Sequence, residues 1–370
     1  MHIGIDTRLT HYRTGGISTY MRRLVSALET LDRQNRYTIL ESRKTQESIT
    51  KHFGRKALWT PCHHRFERLA LSVELAPLRL DILHSPDFIP PLRGARRHVI
   101  TVHDLTFLHY PEYLTADSRR YYNDQINSAV RQADHILADS SATKADLVQM
   151  LNVPANKITV HMLGVDERFK PIDRHDGDLI AFQKRHGLPS DYILFVGTFE
   201  PRKNISGLLE AYQALVSQMD DAPSMVLVGR RGWLFEETMK RIETLNIQDR
   251  LIWLENINDD ELPYVYNLAS ILVTPSFYEG FGFPALEAMA CGTVPIVSNR
   301  SSLPEVVGNV GLQVEPENTE AIMNAMKKAL SDSKWWDEMR KAGIDRAKTF
   351  NWNHTAATVL HVYNSVHGAA

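Results

Sequence analysis

Short apolar, β-branched runs alternate along this chain with longer stretches in which apolar positions recur every three or four residues. The short runs predict strands at 2–6, 37–40, 82–84, 99–102, 135–138 and 158–160, then again at 192–196, 224–228, 251–254, 271–274 and 294–297. The longer stretches predict helices at 19–31, 118–133 and 141–151 in the first half, the last opened by Ser140 and Ser141. In the second half they fall at 205–218, 235–245, 259–269 and 284–290. Strand–helix alternation of this kind predicts parallel sheets with crossover helices, hence an α/β protein of two doubly wound domains. A polar segment, 164–190, with Pro171 and Pro189, reads as a linker between domains 1–165 and 166–351. Ligands of such sheets bind at the carboxyl ends of the strands, so a cleft between the two domains is the expected site.

Composition narrows the picture only a little. A length of 370 residues suits two domains, and 43% apolar with 23% charged residues is ordinary for a globular chain. No apolar run approaches the ~18 residues that cross a bilayer, and the opening MHIGIDTRLT reads as a first strand rather than a leader. With Cys62 and Cys291 the only cysteines, a disulfide framework and a cysteine zinc site are both disfavoured, and a cytoplasmic setting is expected. The net charge of −2 conceals an asymmetry. Residues 1–165 carry 22 Lys and Arg against 16 Asp and Glu, and the remainder 20 against 28. The basic stretch from Arg43-Lys44 to Arg68, interleaved with Trp59, Phe66 and Leu69, suits either a solvated face or contact with anionic membrane or a phosphorylated acceptor.

Residues 271–292, ILVTPSFYEGFGFPALEAMACG, carry the most chemistry. A strand ends at Thr274, a loop follows through Glu279-Gly280-Phe281-Gly282, and a helix begins with a proline in its first turn. Glu279 lies in the loop and Glu287 a turn inside the helix. Backbone N–H groups at Gly280, Phe281 and Gly282, with the positive helix end, would face whatever Glu279 faces. A nucleoside diphosphate sugar fits this order: hydroxyls at both ends, phosphates between.

Three further places carry candidate chemistry. Thr14-Gly15-Gly16-Ile17-Ser18 follows the first strand and offers backbone N–H groups to phosphate. Thr101-Val102-His103-Asp104 ends a strand; His103 is placed to donate to a sugar hydroxyl and Asp104 to meet an acceptor hydroxyl or fix a loop. Gly197-Thr198 through Arg202-Lys203-Asn204 sets two cations between a strand and a helix, where they would neutralise a departing diphosphate. Asp176-Gly177-Asp178 sits in the polar segment and reads as solvated, and His63-His64 lacks a second ligand pair.

Taken in order, Gly15-Gly16, His103-Asp104-Leu105, Gly197-Thr198 to Arg202-Lys203-Asn204 and Glu279-x7-Glu287 resemble the retaining glycosyltransferases of family 4, a GT-B fold of two facing Rossmann-like domains. Phe350-Asn351-Trp352 resembles the point where that family's chain crosses back, so 352–370 would join the first, acceptor-side domain. The Gly-Thr-x-Glu-Pro-Arg-Lys-Asn form resembles bacterial mannosyltransferases of O-antigen and related polysaccharides. The resemblance implies that Glu279 holds the hexose, Glu287 the ribose, and Arg202 with Lys203 the diphosphate. It places Gly16 by the phosphates, His103 by the hexose O6 and the backbone of Asn256-Ile257 by the base. Many relatives have Gly-Arg where this chain has Gly197-Thr198, which leaves the cationic clamp to Arg202 and Lys203. The implied reaction is metal-independent retaining transfer without a cofactor, from GDP-mannose or else a UDP-hexose, to a glycan or lipid-linked acceptor, and the expected location of the protein is cytoplasmic or peripheral on the inner membrane face. A sugar-nucleotide epimerase of the same fold and a non-catalytic sugar-nucleotide-binding protein stay open.

Overall fold

The computed structural model describes every residue except 13–14, 114–115, 233–234 and 369–370; the side chains of 113 and 116–121 are also outside the description. Thr14, at the start of the glycine loop, therefore lies outside the described residues. The chain divides into two compact units, Met1–Gly164 with Asn351–Ala370, and Val165–Phe350.

The first unit holds seven strands: β1 (His2–Asp6), β2 (Arg36–Ser42), β3 (Gly54–Leu58), β4 (Leu80–Ser85), β5 (Ala95–Val102), β6 (His135–Ala138) and β7 (Ile158–Val160). They form one parallel sheet in the order β3-β2-β1-β4-β5-β6-β7. The second unit holds β8 (Ile193–Val196), β9 (Met225–Val228), β10 (Leu251–Leu254), β11 (Ile271–Thr274), β12 (Val294–Ser298) and β13 (Leu312–Val314), parallel in the order β10-β9-β8-β11-β12-β13. Each is a doubly wound Rossmann-like unit, as the alternation predicts. The strand order reverses between β1 and β4 in one sheet and between β8 and β11 in the other, and a crevice opens at such a reversal.

Central strands covered by helices on both faces must be apolar at every position, which is why they read as continuous runs. Residues 193–195, 225–227, 271–273 and 296 are buried to 1% or less. The helix Ile205–Val216 lays Leu208, Leu209, Tyr212 and Leu215 over this sheet.

Two stretches depart from expectation. Segment 164–190 is not a linker throughout: Gly177–His186 is a helix. Asp176 caps it by accepting N–H groups of Asp178 and Leu179, and Gly187 ends it in the left-handed region. Leu179 and Phe182 bury one narrow face, too short a stripe to show through polar flanks. The basic stretch 43–69 contains β3, an edge strand with four exposed residues, and leads into the helix Glu67–Leu75.

Gly229 fixes how β8 and β9 end. A Cβ there would lie 1.9 Å from the carbonyl oxygen of Gly197, so only glycine permits the approach. The N–H of Gly197 in turn donates to Val228 at 2.9 Å. Gly177 has open space around the same position. Gly229→Ala is expected to destabilise by about 1–3 kcal/mol through this overpacking, and Gly177→Ala to be neutral, as read by urea unfolding midpoints. Equal midpoints would contradict the packing described.

Candidate active site

The backbone of the loop after β11 is held from two sides before its own side chains are considered. The N–H of Phe277 donates to the carbonyl of Arg202 at 2.8 Å, and that of Glu279 to the Ser301 hydroxyl at 2.9 Å. The buried Ser302 hydroxyl reaches the carbonyls of Glu279 and Phe281 at 2.8 and 2.7 Å. The Glu279 backbone is thus fixed by the 201–203 turn and by the loop after β12.

Its carboxylate gathers three donors. Lys203 Nζ lies 2.6 Å and Ser276 Oγ 2.7 Å from Oε1, and Arg202 Nη1 lies 2.9 Å from Oε2. Glu279 and Lys203 are 6% and 7% exposed. Burial by itself would raise the glutamate pKa, but the charges of Lys203 and Arg202 and the bonds from Lys203 and Ser276 prevail and hold it at about 2. Burial and the neighbouring Arg202 push Lys203 downward, while Glu279 opposes them. Arg202 also reaches Glu200 at 2.9 Å and the Tyr278 carbonyl at 3.2 Å. The two cations therefore answer a carboxylate 76 and 77 residues away. That explains charges which oppose the dipole of the helix at Ile205.

The glycine turn closes this arrangement. Gly282 precedes the helix Phe283–Cys291 with φ +107, and a Cβ on it would meet Leu303 Cδ2 at 2.7 Å. The Phe281 ring is buried against Phe283 and Phe350, so that residue, like Gly280, has only backbone to offer a ligand. Glu287, on that helix, accepts from the Tyr266 hydroxyl at 2.8 Å. Burial lifts its pKa to about 7, opposed by Tyr266 and Arg168 and helped by Asp166 and Asp259. Asn256, exposed, and Ile257, half-buried, follow β10, and Thr198 follows β8 in the open. The β10 and β11 ends are three strand spacings apart, roughly 14 Å. Second-unit candidates thus rim the carboxyl edge of one sheet.

In the first unit, Gly15 has φ +125 and directly precedes the helix Gly16–Leu31; both glycines are exposed. His103 does not present the donor expected for a sugar hydroxyl. Its Nδ1 lies 2.7 Å from Asp139 Oδ2 and its Nε2 2.7 Å from the Pro86 carbonyl oxygen, so two acceptors take both nitrogens. Burial would lower its pKa, but the Asp139 charge and bond, the Asp87 charge and the Pro86 carbonyl raise it to about 8. Asp104 accepts the Thr106 N–H at 2.9 Å, the loop-fixing of its two expected roles. Behind His103 runs a buried polar chain. His161 meets Tyr20 at 3.0 Å, Tyr20 meets Thr101 at 3.1 Å, and His84 joins Thr101 and Tyr363 at 2.8 and 2.7 Å.

Sequence reading missed Ser276, Ser301, Ser302, Tyr266 and Asp139, which orient the candidates rather than forming a motif of their own. The one available signal was position: Ser276, Ser301 and Asp139 each follow the carboxyl end of a central strand within three residues.

Residues 14–169 match the family described as Glycosyltransferase Family 4, and residues 178–350 match Glycosyl transferases group 1. The O-antigen chain mannosyltransferase B of Escherichia coli is 35% identical over 283 residues, covering 76% of this chain and 74% of that protein. The chain belongs to the family 4 glycosyltransferases. Serotype-specific mannosyltransferase WbdA of Escherichia coli is 30% identical over 262 residues, 70% of this chain but 32% of that longer protein. In structure this glycosyltransferase is similar to sucrose-phosphate synthase from Thermosynechococcus elongatus, at TM-score 0.81 and 21% identity over all of both chains. It is also similar to Anabaena HepE solved with UDP-glucose, at TM-score 0.77 and 17% identity over 99% of this chain and 100% of that one. Its fold is GT-B.

Two measurements check the electrostatics. Glu279→Gln strands a buried ammonium and should cost about 3–5 kcal/mol, most of it recovered when Lys203→Met is added; urea unfolding reads both. No recovery in the double variant would contradict the pairing. His103, raised from 6.5 to about 8, contributes stability that is complete below pH 6.5 and lost as pH rises through 8. Asp139→Asn should flatten that decline in melting temperature between pH 6 and 9. An unchanged slope would show that Asp139 does not hold the proton on His103.

Proposed function

We propose that this family 4 glycosyltransferase moves a hexose, mannose from GDP-mannose, with retention and without a metal, to a glycan or lipid-linked acceptor in cell-surface polysaccharide synthesis. The observation that carries the reading is the buried Glu279 carboxylate gripped by Lys203, Arg202 and Ser276. A carboxylate has about four acceptor positions, and three are filled here, which leaves one on Oε2 for a sugar hydroxyl. At a pKa of about 2 it remains an anion at neutral pH and acts as an acceptor, not an acid.

The mannose assignment is supported by the names of the relatives, an O-antigen chain mannosyltransferase and a serotype-specific mannosyltransferase. A UDP-hexose donor is the second reading, supported by the UDP-glucose in the similar HepE structure. In either case Lys203 donates one of its three N–H groups to Glu279 in a hydrogen bond and, with Arg202, sets positive charge beside the loop that would meet the diphosphate. As the C1–O bond to the diphosphate breaks, these cations would oppose the charge that grows there. The acceptor oxygen would add to C1 on the same face and pass its proton to the departing phosphate oxygen. Glu287, beside Tyr266, would accept ribose hydroxyls.

Incubation with GDP-mannose and with UDP-glucose in EDTA, followed by NMR of the product, tests each part. The expected result is transfer from GDP-mannose with the α configuration kept, and a loss of at least 100-fold in kcat/KM for Glu279→Gln. An inverted product would end the retaining reading. A requirement for added metal or for UDP-hexose would overturn those parts, and epimerised free sugar nucleotide or binding without turnover would replace transfer altogether.

A further inference from the structure

The helix Glu67–Leu75 is apolar on two opposite sides. Leu71 and Leu75 are fully buried in the first unit's core with Leu40, Leu58 and Leu83. The other side sets Phe66, Leu69 and Val73, spaced three and four residues apart, into solvent at 55%, 58% and 71% exposure. Two more exposed apolar side chains stand beside this stripe. Leu92, 50% exposed, is tied to the helix by its N–H to the Arg68 carbonyl at 3.2 Å. Trp59, 72% exposed, donates its backbone N–H to Glu74 at 2.6 Å. Large hydrophobic side chains this exposed are ordinarily scattered singly over a soluble surface; a cluster of them marks a face that meets something apolar.

The charges around the stripe say what kind of partner. A shallow groove of about 790 Å³ beside Leu69, Val73 and Leu92 is lined by Arg79, Arg93 and Arg96 and by no acidic residue. Arg65 lies over the Phe66 ring at 4.6 Å and Arg43 over the Trp59 ring at 3.9 Å. The nearby carboxylates are occupied: Glu74 by the Trp59 and Thr60 backbone, Asp81 by the His2 N–H and, at 3.6 Å, Arg96. Apolar side chains ringed by arginines, with a tryptophan at the margin, match the boundary between acyl chains and anionic headgroups. A soluble protein partner would ask for carboxylates opposite the arginines and a shaped apolar pocket; a bilayer supplies charge and hydrocarbon without a fixed shape.

We propose that the exposed face of Glu67–Leu75, with Trp59, Leu92 and the arginines of the groove, is a docking surface for an anionic lipid bilayer. No helix among the described residues is long and apolar enough to cross a membrane, so this contact would be lateral and reversible. The proposal stands independently of the donor and acceptor readings, because lipid binding needs no sugar nucleotide.

Co-sedimentation of the full chain with phosphatidylcholine vesicles, alone or with 30% phosphatidylglycerol, decides it. Binding is expected only to the anionic vesicles, weakening at least tenfold between 50 and 500 mM salt. Leu69→Asp with Val73→Asp should reduce binding at least tenfold with an unchanged melting temperature, since both positions are already exposed. Arg79→Ser with Arg93→Ser and Arg96→Ser, which spares every apolar contact, should abolish the preference for phosphatidylglycerol. No binding to anionic vesicles, or binding that survives both sets of changes, overturns the proposal. So does a dimer seen by sedimentation velocity that Leu69→Asp dissolves, which would make the face an interface between copies.

Discussion

A single buried carboxylate organises the second unit's working edge. Glu279 is out of water, and an anion in that position persists only because two cations and a hydroxyl surround it. The dependence runs both ways: Lys203, equally buried, needs the carboxylate as much as the carboxylate needs it. Because Lys203 belongs to the turn after β8 and Glu279 to the loop after β11, the ion pair also ties together the segments that leave two adjacent central strands. Position and charge are fixed by the same bonds.

Around that pair the polar groups fall into those that orient and those left to act. Ser301 and Ser302 hold the Glu279 backbone, and the Gly282 turn lets Leu303 pack where a side chain would stand. The first unit has a parallel arrangement, in which Asp139 and the Pro86 carbonyl hold His103 while Asp104 fixes its own loop. A histidine donating from both nitrogens to buried acceptors is a fixed positive charge more than a proton shuttle. The second unit's two candidate glutamates, Glu279 and Glu287, differ for the same kind of reason. Cations hold Glu279 ionised, whereas burial pushes Glu287 toward neutrality against the weaker opposition of a phenol.

How much of this was legible follows from what each residue is near. Strands β8, β9, β11 and β12 were readable because burial on both faces demands unbroken apolar runs such as Ile271 to Val273. The edge strand β3 was not, since four of its five residues face solvent and no pattern marks them. The helix Gly177–His186 hid behind charged flanks with only Leu179 and Phe182 to betray it. Glu279, Arg202 and Lys203 stood out individually by residue type and by their place after strands. That they grip one another was not readable, because the contact spans 76 residues and depends on which strands are neighbours. The pairing of His103 with Asp139 was hidden likewise: nothing in the sequence says that β5 lies beside β6.

The first unit is discontinuous in the chain, and its closing piece is the helix Trp352–Gly368. Tyr363 on that helix completes the His84 contact, Thr355 ties to the Met162 carbonyl at 2.8 Å, and Gly164 is bare of a side chain where Trp352 abuts it. During synthesis on the ribosome those partners emerge only after nearly two hundred further residues have been made. Until then the seven strands lack the helix that packs beside them, and His84 lacks its Tyr363 partner. The second unit has every strand and every helix it needs in one uninterrupted stretch, so it can consolidate first, and the older half of the polypeptide is then the later half to mature.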